Sequence, residues 1–239
     1  KLWCEHLEHC NAWDGWAYAW CLYKQHNYAD ALAISTDARA LDPDLDVLKS
    51  LQAWCLYHLA IKPNPPGSDF ADAVDQILAL CAPDRYSPVV RTVFRAVELA
   101  TQPAEQLRLL GFLEPEQLSK VSETFQDRHK TRTLPSDWLR YWSKWTEALF
   151  RLGAYTDCAE RCETILQQDD ISGSQQIWFQ RRLARCFFSL QQTDKALDLY
   201  YTLLKHKTDW FLKKELAEVY LQSGQLSQSL SCAIDAARS

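Results

Sequence analysis

Apolar positions recur along this chain at intervals of three and four residues, in runs divided by short polar, Gly, Asn or Pro segments. That period belongs to amphipathic helices, which keep one face for a core. The pattern predicts helices over 13–25, 29–41, 88–100, 138–152, 156–168, 176–190, 194–205, 210–222 and 226–237. A helical pattern also covers 2–10, and a short one covers 104–110. The breaks are chemically specific. His26-Asn27-Tyr28 divides the first pair, and Asp42-Pro43 closes it, because proline cannot continue a helix and restricts the residue before it. Gly153 and Gly224 fall where a left-handed backbone is needed.

The pairs repeat. Ala-Trp-Cys-Leu-Tyr occurs at Ala19–Tyr23 and again at Ala53–Tyr57, 34 residues later. A period of that size is the length of a helix–turn–helix unit that stacks into a solenoid. Taking the small residue of each first helix as an anchor gives Ala19, Ala53, Ala96, Thr146, Ala184 and Ala217, spaced 34, 43, 50, 38 and 33. Two spacings are long for a reason visible in the chain. A proline-rich insertion occupies 61–68, and a polar insertion occupies 111–136. Within the second, 115–124 reads as a short helix and 127–135 as a charged loop.

The first unit resembles the tetratricopeptide repeat (TPR) in its small Ala19, the aromatic Tyr28 at the turn, Ala31 and Ala38 in the second helix, and the closing Pro43. It departs in carrying Ala19 for the usual Gly, and Gly15 beside Trp16 for the usual Trp. The order of insertions is similar to that of an uncharacterised bacterial group of TPR proteins. The expected fold is all-α: a right-handed α-solenoid of about six helix-turn-helix repeats. One solenoid would run over 1–239, with 1–11 ending a preceding helix. Repeats would occupy 12–45, 46–84, 85–110, 137–171, 172–208 and 209–239, the third of them degenerate. Starting at Lys1 inside a helical pattern and containing no Met, the sequence reads as a piece of a longer protein.

One helix pair cannot bury its apolar stripe alone, so neighbours stack. The resemblance implies that first helices line a concave face. Its inner positions fall on Trp13, Trp16, Trp20, Tyr23 and Lys24 in the first unit, and on Val47, Ser50, Trp54, Tyr57 and His58 in the second. The early face is then aromatic: Trp13, Trp16, Trp20, Tyr23, Trp54 and Tyr57. Such a stripe is either a partner site or core, and the pattern alone leaves both open. In later units the same positions bring Arg140, Arg181, Arg185 and Lys214, a set suited to an acidic or C-terminal peptide or to an ordinary solvated face. The clamp by which some TPR domains hold chaperone tails is missing, since the matching positions hold Trp16, Trp20 and Leu51.

Composition narrows the function classes. A net charge of −5 argues against a general nucleic-acid binder. No apolar run has the length of a membrane span, and nothing resembles a signal peptide. The nine cysteines are odd in number and mostly sit in helical patterns, which favours free thiols and a reducing, cytoplasmic setting.

Candidate chemistry is sparse. His6, His9 and Cys10 share a helix face and form a weak zinc candidate, with no second cluster to complete the site. Cys158 and Cys162 fall at packing positions of a second helix. There is no phosphate loop and no nucleophile elbow. No catalytic residue and no cofactor are expected. The expected function is a scaffold that binds a peptide or protein on its concave face, or regulates an effector domain fused in the same chain. The alternative is a nucleic-acid-associated module using the late cations and the basic loop 127–132.

Overall fold

The computed structural model describes residues 10–84, 86–127, 130–168, 171 and 173–238. They form two compact units. One comprises residues up to Thr101 together with Arg108–Leu118; the other comprises Gln102–Leu107 and the residues from Ser119 onward.

The first unit begins with α1 (Ala12–Lys24) and α2 (Tyr28–Leu41). Asn11 caps α1 reciprocally: its side chain accepts from the Trp13 and Asp14 backbone N–H groups, while the Asp14 carboxylate accepts from the Asn11 N–H. Then come α3 (Asp46–Leu56), one π-helical turn over Tyr57–Ile61, α4 (Phe70–Leu80) and α5 (Val89–Leu99). The short α6 (Pro103–Leu110) has its first half in the second unit and its last turn in the first. The π turn carries the α3 run five residues further and seals Ile61 in the core, so the insertion leaves the helix only after that residue.

The second unit holds a β-hairpin, β1 (Glu123–Asp127) with β2 (Lys130–Leu134), and three helical hairpins. These are α7 (Asp137–Arg151) with α8 (Tyr155–Leu166), α9 (Gly173–Ser189) with α10 (Thr193–His206), and α11 (Trp210–Gln222) with α12 (Leu226–Ala237). The β-hairpin corrects two expectations. The helix expected over 115–124 is a single 3-10 turn, Pro115–Gln117. The loop expected over 127–135 is mostly paired strand, with Glu123 opposite Leu134 and Asp127 opposite Lys130. Thr124 and Thr133 favour extended backbone, where β-branched side chains lose little freedom.

The repeat is built by two devices. The first is the small anchor. Ala19, Ala53, Thr146 and Ala184 are fully buried, and Ala96 and Ala217 nearly so, which lets neighbouring helices approach closely. The second is the turn. His26, Gly153, Gln191 and Gly224 all adopt positive φ, between 61° and 79°. After each, the next N–H donates to a carbonyl five residues back: Asn27 to Leu22, Ala154 to Leu149, Gln192 to Phe187 and Gln225 to Tyr220. This left-handed closure satisfies carbonyls that the helix end would leave orphaned.

Thiols pack in the cores: Cys55 in the first unit, and Cys158, Cys162 and Cys186 in the second. All cysteines among the described residues are free. Burial pushes the Cys55 thiol up to about 12, so it packs as a neutral, small apolar group.

Candidate partner-binding faces

In the first unit the aromatic side chains of α1 and of the α3 run form one connected series. Trp13 meets Trp16 edge-on at 5.9 Å, and Trp16 lies near-parallel to Trp20 at 6.2 Å. Trp20 continues to Tyr23 at 5.4 Å. Tyr23 then reaches His58 at 5.7 Å, and His58 reaches Trp54 at 6.2 Å. Tyr57 packs edge-on against both Trp54 and His58.

His58 is the hub of this series. Its ring stacks on Tyr28 at 4.3 Å and 6°. Its Nε2 lies 3.2 Å from the Tyr23 hydroxyl, which ties the first helical pair to the second. Partial burial lowers the His58 pKa, and the charges of Lys62, His26 and Arg91 lower it further. The Tyr23 hydroxyl is raised, again by burial first.

The series is not sealed. Trp13 is 55% exposed and Trp20 is 37% exposed, while Trp16, Tyr23, Trp54 and Tyr57 are half-buried. The Trp54 indole N–H donates to the Tyr86 carbonyl at 2.6 Å, which fixes that ring. Two cations overlie the rings: Lys24 Nζ is 4.5 Å from the Trp20 centroid, and the Arg91 guanidinium is 5.7 Å from that of Trp54.

In the second unit the expected cations have neighbours of their own. Arg181 grips Glu215 with two groups, Nε at 3.0 Å from one oxygen and Nη2 at 2.6 Å from the other. This hydrogen bonding raises the Arg181 pKa. Arg185 approaches the same carboxylate at 3.7 Å, and the Tyr200 hydroxyl donates to it at 3.3 Å. Lys214 pairs with Glu218 at 3.7 Å. Arg181 also packs over Phe211 and Arg185 over Phe150, at 4.5 and 4.4 Å. Trp178 stacks on Phe211 at 5.8 Å and stays 46% exposed. Arg140 lines a separate open groove of about 440 Å³, shared with Ser143, Lys144, Gln175 and Trp178.

Of the zinc candidate, His6 and His9 lie outside the described residues, and Cys10 packs partly buried against the core of α1 and α2. Among the described residues no group of three His, Cys, Asp or Glu side chains could hold a metal. In the basic loop, Arg128 and His129 lie outside the described residues. No described helix is long and apolar enough to cross a membrane.

Sequence reasoning placed His58 on the inner face without its role as hub, and missed Glu215 altogether. Each stands 34 positions after a residue on its face, Lys24 and Arg181 respectively, so the repeat period itself was the usable signal.

Helix pairs joined by a left-handed turn, each buried on a small anchor, decide the fold. It is TPR-like. No protein-family model matches the chain, and no curated protein does. The chain is similar in fold to solved structures at low identity. A tetratricopeptide repeat protein from Parabacteroides merdae has 11% identity over 92% of this chain and 77% of its own, with a TM-score of 0.46. MamA from Desulfovibrio magneticus RS-1 has 8% identity over 95% and 93%, with a TM-score of 0.38. YrrB, described as a TPR protein with an unusual peptide-binding site, has 11% identity over 98% and 88%, with a TM-score of 0.36.

Proposed function

We propose that this chain is a binding scaffold for a peptide or protein segment, and that the aromatic face of the first unit makes the contact. One observation carries the reading. Six aromatic side chains and His58 form a continuous surface whose outer members, Trp13 and Trp20, remain open to solvent. Exposed apolar surface of this extent is costly to keep in water and typically marks an interaction site. Trp and Tyr also lead among residues whose truncation costs an interface about 2 kcal/mol or more. Their mutual packing fixes the rings before a partner arrives, so little side-chain entropy remains to be lost on binding.

The second unit offers less for nucleic acid. Arg181 and Arg185 converge on Glu215, and Lys214 is paired with Glu218. Phosphate binding requires cations free to replace counterions. An acidic peptide on Arg140 and its neighbours is a secondary contact in this account. Scaffolding with a partner chain and regulation of an effector domain in the same polypeptide would use the aromatic face in the same way.

The test is to select peptides from a random display library with the full chain and map them by backbone chemical-shift changes. The reading expects changes centred on α1 and on Trp54–His58. Tight binders that shift only residues of the second unit would overturn it.

A further inference from the structure

We infer that the aromatic face takes a proline-rich segment in the polyproline II conformation, flanked by acidic residues. The inference rests on the reading above and names the chemistry of the partner.

Three features of the face point there. The first is its spacing. Along the series, consecutive ring centroids are 5.4 to 6.2 Å apart. A polyproline II chain advances roughly 3.1 Å per residue, so two residues span about one step of this series. The chain turns once every three residues, roughly 9 Å, so prolines three apart share the face and meet rings one to two steps apart.

The second is hydrogen-bonding capacity. Among the described residues, the indole N–H groups of Trp13, Trp16 and Trp20 have no acceptor within the protein, whereas that of Trp54 is engaged. An α-helical partner satisfies its own carbonyls and has little use for such donors. A polyproline II chain has no internal hydrogen bonds, so its carbonyls need outside donors. Aromatic-lined surfaces carrying indole donors are the physical form that recognition of such chains takes.

The third is charge. Lys24 stands over Trp20, and Arg91 stands over Trp54. Between those two rings the path runs through Tyr23 and His58, and the cations Lys62 and Arg91 act on His58. The path from Trp20 to Trp54 is at most about 17 Å, roughly five or six polyproline residues. An acidic residue at each end of such a stretch would meet Lys24 on one side and Arg91 on the other.

The experiment uses the full chain and three synthetic heptapeptides: five prolines between two glutamates, five alanines between two glutamates, and five prolines between two lysines. Affinity is read by calorimetry, and the site by tryptophan fluorescence. The Glu-flanked proline peptide is expected to bind at least tenfold more tightly than either other peptide. Trp20→Ala and Trp54→Ala should each weaken it at least tenfold. Lys24→Glu, a change at an exposed position that leaves the core intact, should lower its affinity and raise that of the lysine-flanked peptide. Equal binding of the proline and alanine peptides overturns the inference, and so does no response to Lys24→Glu. If display-selected peptides of helical or other form bind at Trp20 while the proline peptide does not, the inference falls and the face remains a binding site. If no peptide perturbs α1 or Trp54–His58, both fall.

Discussion

The Tyr23 hydroxyl and His58 Nε2 meet at 3.2 Å across 35 positions of sequence. Tyr23 belongs to the last turn of α1, and His58 to the π turn that extends α3. The contact joins two repeats and holds the centre of the aromatic face in place.

It also makes the first unit sensitive to acid. Burial first, then the charges of Lys62, His26 and Arg91, hold the folded-state pKa of His58 below the ordinary 6.5. The unfolded chain therefore takes up the proton first as pH falls. Stability from neutral His58 is complete above about 6.5 and is lost as pH drops from there through the folded value. Melting of wild type between pH 7.5 and 5 should show this fall. His58→Phe, which keeps a ring on Tyr28 but cannot titrate, should show a smaller one. Equal pH dependence in the two proteins would contradict the assignment.

Gln191 closes the α9–α10 turn at φ 61°, where Gly153 and Gly224 close the equivalent turns. A side chain in the left-handed region costs roughly 1–2 kcal/mol, partly offset by the greater freedom glycine has when unfolded. Gln191→Gly should therefore stabilise the protein by about 0.5–1 kcal/mol in denaturant titration. Gly224→Ala, with no atom near the added carbon, should destabilise it by about 1 kcal/mol through conformation alone.

Glu215 gathers Arg181, Arg185 and the Tyr200 hydroxyl. Glu215→Gln should cost about 1–2 kcal/mol, since hydrogen bonds to charged groups are lost in a partly buried site. It should also free two guanidinium groups and tighten binding of short RNA or acidic peptides. A wild-type protein that already binds RNA with a steep salt dependence, and gains nothing from Glu215→Gln, would favour the nucleic-acid alternative.

Much of the fold was legible because TPR-like packing writes its needs into particular positions. The anchors from Ala19 to Ala217 must be small, and two of the four left-handed turns carry glycine, so these leave marks in the chain, whereas His26 and Gln191 do not. The hairpin Glu123–Leu134 left a weaker mark. Its strands are five residues each, too short for alternation to stand out from a charged loop. The π turn at Tyr57–Ile61 has the same residue types as ordinary helix and is not distinguishable by pattern. At the candidate site, helical phase picked out the aromatic residues but not their mutual contacts. Nor could it show that Arg181 spends its charge on Glu215, because that pairing depends on how one repeat sits against the next.

The central claim is that the Trp20 ring serves a partner more than the core. It is tested most directly by measuring thermal midpoint and peptide affinity on the same preparations of wild type and Trp20→Ala, with a peptide selected by display. At 37% exposure, Trp20 should cost only a few degrees in midpoint when truncated, while affinity falls tenfold or more, about 1.4 kcal/mol. A large loss of midpoint with affinity unchanged in the folded fraction would show that the ring belongs to the core and that this face is not the binding surface.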